Sequence, residues 1–600
     1  MFMLALVIAG LSAVIYLVLG LVFDTHQDDG PWGVVTVAVL GFFGILFIDW
    51  FGIWRNSPPM YFGNWFWFIT FSLVVFLVLT AIKNGLAHSG SYSSYSNDKA
   101  VINGSVIVLA VLLVFWMIFG FAMHTGRPWG GQAYSLAKIA QIHREPVGAY
   151  PPTDTEHISL VPEQAAQYRA NQALTQAQGK YANLSTQYDV GDGTEQSVQN
   201  HLYWVFDLRI NGWRNANRVG RIVPGYVVVD AEDPDASPQL KLGYKMRYTP
   251  GSPTDTSLTR LIWTQYRTYA VDDVTLEVNN DWRPYYTATI NKPAYTFGPT
   301  IPEKAIVVDP QSGKITDYPF KNVPTWIDRV YSASMVKRLM NWWGNYGGGP
   351  NKTPRKFLGI GETSSNRYQV SGDPVLVYSK DGDSSHPEWQ VLMTSQRSDS
   401  AALFVALFDG RSTNVRLYRV PNLQTDDAVL HAFESTSSNV RKYSATNLAL
   451  HKIYGRLTWV AEYIPSSGPR SLQAIGMLAA DDAGGANVRM GTRKADVLTS
   501  YRLWLAGSND STNPNPDSKN ASITGTVTRV SSVVISGNTT IYLTLDNDPA
   551  HVYRGSISEK LPELPFASPG AKVTITYVDV GNATVDIIGY DDAGLELANK

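Results

Sequence analysis

The chain has 600 residues, 44% of them hydrophobic and 17% charged, with a formal net charge of -2 and no cysteine. At roughly 100 to 200 residues per domain this length argues against a single core, and the missing cysteine excludes disulfides, thiolate metal sites and cysteine nucleophiles. Near-neutrality argues against bulk nucleic-acid binding, which needs a basic footprint.

Hydrophobicity is concentrated at the N-terminus. Met1–Phe23 is an uncharged apolar run, and further runs cover about Gly33–Trp54, Trp65–Ile82 and Ser105–Met123. Each is long enough to cross a bilayer core of about 30 Å as a helix, and tryptophans fall near the ends. The first run lacks a basic leader and a small-residue cleavage pattern, so it reads as an anchor. Residues 1–125 are therefore expected to form a four-helix transmembrane anchor with the lipid bilayer as partner. The expected localisation is the cytoplasmic (inner) membrane of a prokaryote, multi-pass. Counting loop Lys and Arg leans toward a cytoplasmic C-terminal domain, whereas the Ser, Thr, Asn, Tyr and Trp-rich composition beyond residue 150 favours an extracytoplasmic one. Asp49 is the ionisable residue inside a span and a candidate intramembrane functional residue, although Arg55 lies close by and an interfacial carboxylate accounts for it.

Residues 126–158, containing the Pro-rich REPVGAYPPTDTEHI, read as a linker. Residues 159–253 begin with Ser159, Pro162 and Glu163 ahead of an Ala/Gln-rich helical stretch, followed by alternating strand patterns. Next comes an internal repeat. AIVVDPQSGKITDY and ALFVALFDGRSTNVRLY align at an offset of 100 residues, matching Asp309 with Asp409, Ser312 with Ser412, Ile315 with Val415 and Tyr318 with Tyr418. Each reads as a β-hairpin preceded by another strand. Helical spacing in TDTSLTRLIWTQYRTY, PTWIDRVYSASMVKRLMNWWG and QTDDAVLHAFESTSSNVRKYSATNLALHKIYG predicts helices packed on antiparallel sheets. These delimit units at 254–350, 351–450 and 451–507. The hairpin VVDPQSGKITDY resembles the PepSY-type module, a cystatin-like α+β unit with a VDPxTGxV-like turn. Gly410 and Thr413 depart from that pattern in the second copy. The resemblance implies a non-catalytic interaction or inhibitory module at a membrane surface.

Residues 508–522 have linker composition. Five strand-like runs follow over 523–600, namely ITGTVTRV, TTIYLTLD, AHVYRGS, AKVTITYV and ATVDIIGY, with SISEKLPEL between the third and fourth. This order resembles the OB-fold, a five-stranded Greek-key barrel. Acidic residues outnumber basic ones there, so a protein-binding or structural barrel is expected and no nucleic-acid channel. The whole chain is thus expected to be an α-helical membrane domain, then α+β repeat units with antiparallel sheets, then an all-β OB-like barrel.

Catalytic motifs such as HExxH, GxSxG and GxGxxG are missing from the sequence, and no cofactor is implied. NWWGNYGGGPNKT lacks the phosphate-loop glycine. Its Trp342, Trp343 and Tyr346 could form a contact surface for a protein or glycan, or end a helix in the core. Carboxylate clusters at Asp24–Gly30, Asp230–Asp235 and Lys380–Glu388 could begin a cation site, but none has EF-hand spacing and solvated turns account for them. No His pair has i, i+4 zinc spacing. The expected function is a non-enzymatic, membrane-anchored scaffold making protein contacts or self-assembling as a homo-oligomer. The alternative is an envelope enzyme or maturation factor acting on polysaccharide or protein, with Asp272, Asp273 and Glu277 as candidate paired carboxylates. A transport component resting on Asp49 is the third possibility.

Overall fold

The computed structural model describes residue 114 and residues 135–595, apart from internal stretches of which 348–367 and 508–518 are the longest. Within it, four consecutive units share one plan, a helix followed by a four-stranded antiparallel meander. β1 (Gln141–Arg144) lies ahead of them, inside the segment expected to be a linker. The first unit is α1 (Glu163–Thr175) with β2 (Tyr188–Val198), β3 (His201–Ile210), β4 (Val223–Asp230) and β5 (Gln239–Met246). The second is α2 (Leu258–Gln265) with β6 (Ala270–Val278), β7 (Pro284–Pro293), β8 (Thr300–Val308) and β9 (Ile315–Tyr318). The third is α3 (Ala333–Tyr346) with β10 (Tyr368–Asp381), β11 (Ser384–Ser395), β12 (Ala402–Asp409) and β13 (Asn414–Arg419), and β1 pairs parallel with β13. The fourth is α4 (Asp426–Ser435) with β14 (Tyr443–Ile453), β15 (Arg456–Pro465), β16 (Ala474–Ala479) and β17 (Arg489–Gly491), followed by α5 (Lys494–Gly507). The last strands, β18 (Lys519–Ile535), β19 (Asn538–Leu545), β20 (Asp548–Ser556), β21 (Lys572–Asp579) and β22 (Thr584–Asp592), close into a barrel of order β18-β19-β20-β22-β21.

Local chemistry explains the helix starts and the strand runs. Ser257 and Ser332 accept the backbone N–H of Arg260 and Met335 at 3.3 and 3.2 Å, capping α2 and α3. The apolar runs of β4 and β12 are buried on both faces, which is why they do not alternate with polar residues. Val227 and Val229 pack under α1, while Tyr226 and Val228 pack against the second unit. Phe404, Ala406 and Phe408 likewise pack under α3, while Val405 and Leu407 face the fourth unit.

Two buried glutamines join the units in pairs. Gln196 of β2 accepts the N–H of Val278 at 2.7 Å and donates to its carbonyl at 2.9 Å, so one carboxamide satisfies both polar groups of a residue in the next unit. Gln390 of β11 does the same for Leu450, at 2.7 and 2.7 Å. The barrel is tied to α5 through Asp586, which is 3% exposed and meets Arg554 at 2.7 Å and Arg502 at 3.3 Å.

The offset of 100 residues is reproduced atom by atom. Val308 pairs with Ile315 and Ala305 with Tyr318 in one hairpin, and Phe408 with Val415 and Val405 with Tyr418 in the other. Asp309 accepts the Ser312 hydroxyl (3.0 Å) and the Gln311 N–H (2.9 Å); Asp409 accepts the Ser412 hydroxyl (2.6 Å) and the Arg411 N–H (2.8 Å). Such Asx turns order the loop locally. Gly410 replaces the proline of the first copy for a tertiary reason. A Cβ there would lie 2.6 Å from the Asp328 carbonyl oxygen, because the segment entering α3 crosses over this turn. Gly410→Ala should therefore cost about 2 kcal/mol through forced backbone displacement, read as a lower denaturation midpoint; an unchanged midpoint would contradict this packing.

Several expectations are corrected. The expected fold class is corrected: the described chain is dominated by strands in several sheets and a barrel, and none of its described helices is long and apolar enough to cross a membrane, so the described residues give the multi-pass inner-membrane localisation no support. The four apolar runs of the expected anchor, Asp49 and the Asp24–Gly30 cluster lie outside the described residues. Residues 443–453, expected to be helical from their spacing, form β14 instead, because Leu448 and Leu450 share one buried face of a sheet with Trp459 of β15 as neighbour. A period of two and a period of 3.6 are hard to separate in so short an apolar run.

Candidate metal centre

Each unit places a cation beside the aspartate at the end of its third strand or just beyond it. His201 meets Asp230 at 2.8 Å, Arg283 meets Asp309 at 3.1 Å, His386 meets Asp409 at 3.2 Å and Arg456 meets Asp481 at 2.6 Å. In the first three the sheet register sets the pairing. Tyr203 stands opposite Asp230 and Glu388 opposite Asp409, and the cation comes two residues before that partner. The first unit adds something the others lack. Two residues after the aspartate it carries Glu232, where the second and third units carry Gln311 and Arg411.

Glu232 is buried, 4% exposed, and draws two histidines together. One of its oxygens lies 3.0 Å from His157 Nδ1 and accepts the Leu202 N–H at 2.8 Å; the other lies 3.2 Å from His201 Nδ1. His157, His201 and Glu232 each offer a ligand atom, all within 4.8 Å of one another. His157 belongs to the segment leading into α1, His201 opens β3, and Glu232 lies just beyond β4. The turn holding Glu232 is rigid, since Asp230 accepts the N–H groups of Glu232 and Asp233 at 2.9 and 2.8 Å and Arg169 of α1 donates to the Ala236 carbonyl.

The electrostatics follow from these contacts. The hydrogen bond to Asp230 holds the His201 imidazolium above its ordinary value, against burial, with Glu232 adding to the effect. Burial pushes Asp230 up, but the hydrogen bonds from His201 and the two backbone N–H groups outweigh it and leave its carboxyl below the usual range. His201 thus presents Nδ1 to Glu232 while Nε2 is anchored by a carboxylate. That is the arrangement by which a second carboxylate orients a metal-binding imidazole.

The trio opens onto a cavity of about 460 Å³. Its first wall comes from the first unit and the segment before it, with Glu156, Asp233 and Asp235; the opposite wall is the start of α5, with Arg493 and Lys494. Arg493 and Asp235, both largely exposed, approach to 3.7 Å across the mouth, and Lys494 donates to the Glu156 carbonyl at 2.7 Å. Ligand sites of small molecules commonly have volumes of this order.

The other sequence candidates do not gather into a site. Trp342 and Trp343 are 7% and 6% exposed in the core beneath α3, with Trp343 stacked on Tyr368, and Tyr346 packs on the same core. Asp272 bonds Ser332 at 3.2 Å, Asp273 bonds Arg329 at 3.1 Å, and Glu277 is fully buried, accepting the Thr287 hydroxyl (2.6 Å) and the Asp328 N–H (2.8 Å). Each of the three carboxylates is thus engaged by its own partner. In the Lys380–Glu388 cluster, Glu388 is buried against Arg416 at 2.6 Å. In the Asp230–Asp235 cluster, Asp230 and Glu232 meet His157 and His201 from other segments of the chain.

No protein-family model matches the sequence, and no curated protein matches it. Among solved structures, a GH43_1 enzyme from Xanthomonas citri complexed with xylotriose is 12% identical over 63% of this chain and 87% of that one, at a TM-score of 0.18. An exo-1,5-alpha-L-arabinanase from a bovine ruminal metagenomic library is 11% identical, covering 54% of this chain and 81% of that one, with a TM-score of 0.14. The polysaccharide lyase Uly1 is 11% identical over 74% of this chain and 80% of that one, again at 0.14. Similarity at this level carries no argument about fold or activity.

Proposed function

We propose that the chain is a metal-dependent enzyme whose reacting centre is a divalent cation held by His157, His201 and Glu232. The observation that supports it is the convergence of these three side chains on one open cavity, with Asp230 behind His201. Two imidazoles and a carboxylate suit Zn²⁺ and its neighbours, and three protein ligands leave a coordination position for water or substrate. A cation there would supply Lewis acidity and an activated water. Of the functions considered from the sequence, this retains the enzyme acting on polysaccharide or protein and sets aside the non-enzymatic membrane scaffold.

Dialysis against Zn²⁺ should leave about one ion per chain by elemental analysis. His157→Ala and His201→Ala should each abolish retention, and Asp230→Asn should weaken it about 10- to 100-fold, with circular dichroism unchanged. The repeated cation–aspartate pairs favour a second reading, in which the trio is only a charge latch between turn and sheet. Wild-type protein that retains no metal, with variants that lose only stability, would establish the latch and overturn the enzyme reading.

A further inference from the structure

Resting on the metal-centre reading, we propose that the cleft takes a substrate bearing an oxyanion, a phosphate or a carboxylate, held between the His157–His201–Glu232 centre and Lys494. All but two of the residues lining the cleft, Pro234 and Ala495, carry ionisable side chains, so charge complementarity is what it offers a ligand. Its two cationic side chains both stand on the wall opposite the trio, at the start of α5. They differ in how their charge is used. Arg493 faces Asp235 across the mouth, at 3.7 Å. Lys494 gives its hydrogen bond to a main-chain carbonyl, that of Glu156, rather than to a carboxylate. An ammonium has three donors, so this bond leaves capacity for an anionic acceptor.

On the opposite wall, Glu232 is turned inward to the two histidines and Asp230 is engaged by His201. With a cation bound, an oxyanion entering between the walls meets positive charge on both sides. A two-point clamp of this kind fixes one substrate atom against the reacting centre. The proposal concerns binding and orientation, and Lys494 is a substrate-positioning residue in it.

The test uses the full chain loaded with Co²⁺, whose visible bands report changes in its coordination. Inorganic phosphate and acetate are titrated as oxyanion probes, with glycerol as the uncharged control, into wild type and Lys494→Met. The expected result is a spectral shift with at least one anion, a dissociation constant at least tenfold weaker in Lys494→Met, Co²⁺ affinity within twofold in both proteins, and no shift with glycerol. Tighter binding of phosphate points to a phosphate ester as substrate, and tighter binding of acetate to a carboxylate-bearing one. Anion binding indifferent to Lys494→Met, or no anion binding to a Co²⁺-loaded chain, overturns the clamp while leaving the metal centre standing. Failure of the wild type to take up Co²⁺ overturns the centre and the clamp with it.

Discussion

Gln196→Leu is expected to destabilise the protein by about 3 kcal/mol, and Gln390→Leu by a similar amount. Gln196→Leu removes two hydrogen bonds and Gln390→Leu three, since Gln390 also donates to the Tyr150 hydroxyl at 2.8 Å. Each also strands a buried N–H and C=O, at about 1 to 3 kcal/mol per group. Gln196 and Gln390 are 0% and 4% exposed, so water has little access to the vacated positions. The two clamps join different pairs of units, so the double variant should lose about the sum. Denaturant unfolding followed by tryptophan fluorescence measures this. Losses below about 1 kcal/mol would mean that apolar packing alone holds adjacent units together.

Glu195→Gln should have the opposite sign and a strong pH dependence. Glu195 lies in a buried polar junction where several units meet, and burial pushes its carboxyl up to about 7. Asp328 and Glu163 add to the rise, and Arg329 opposes it. Glu462 and Tyr378 share the junction, each acting electrostatically with Glu195. One Glu195 oxygen has no hydrogen-bond partner. The folded value lies above the unfolded one near 4.5, so the folded chain binds the extra proton between them. Stability from this group is therefore fully present below about pH 4.5, falls as pH rises, and is lost above about pH 7. The loss amounts to about 3 kcal/mol. Glu277, also pushed up to about 7 by burial, adds a slope of the same sign. The variant should match wild type near pH 4.5 and exceed it by about 3 kcal/mol at pH 8, as read from denaturation midpoints across that range. A variant no more stable than wild type at pH 8 would show that Glu195 is already well solvated when charged.

Turns and hairpins were legible because their determinants are local. Asp309 and Ser312 lie three residues apart and bond each other, and the same pair recurs at Asp409 and Ser412. Aligned at an offset of 100 residues, the two hairpins share one register. The metal trio was not legible that way. The DAEDPD run attracted attention for its carboxylates, yet its nearest histidine, His201, is 29 residues from Asp230, and His157 is 75 residues from Glu232. The signal that could have found it lies in the repeat itself. The position two residues after the turn aspartate reads Glu232, Gln311 and Arg411, and the cation position reads His201, Arg283 and His386. The first unit alone among these three combines a histidine with an acid there.

Sequence alone determined what depends on neighbours along the chain: the polar turns of the hairpins, the alternating strand runs beside them, and a repeat spaced by 100 residues. Tertiary structure decided the rest. It made a strand of residues 443–453, put Trp342 and Trp343 in the core, and required glycine at position 410. It also brought His157, His201 and Glu232 to one cavity facing Lys494. The reason is the range of the forces involved. Capping and turn bonds close over a few residues, whereas burial and sheet pairing act between segments whose separation along the chain leaves no periodic trace.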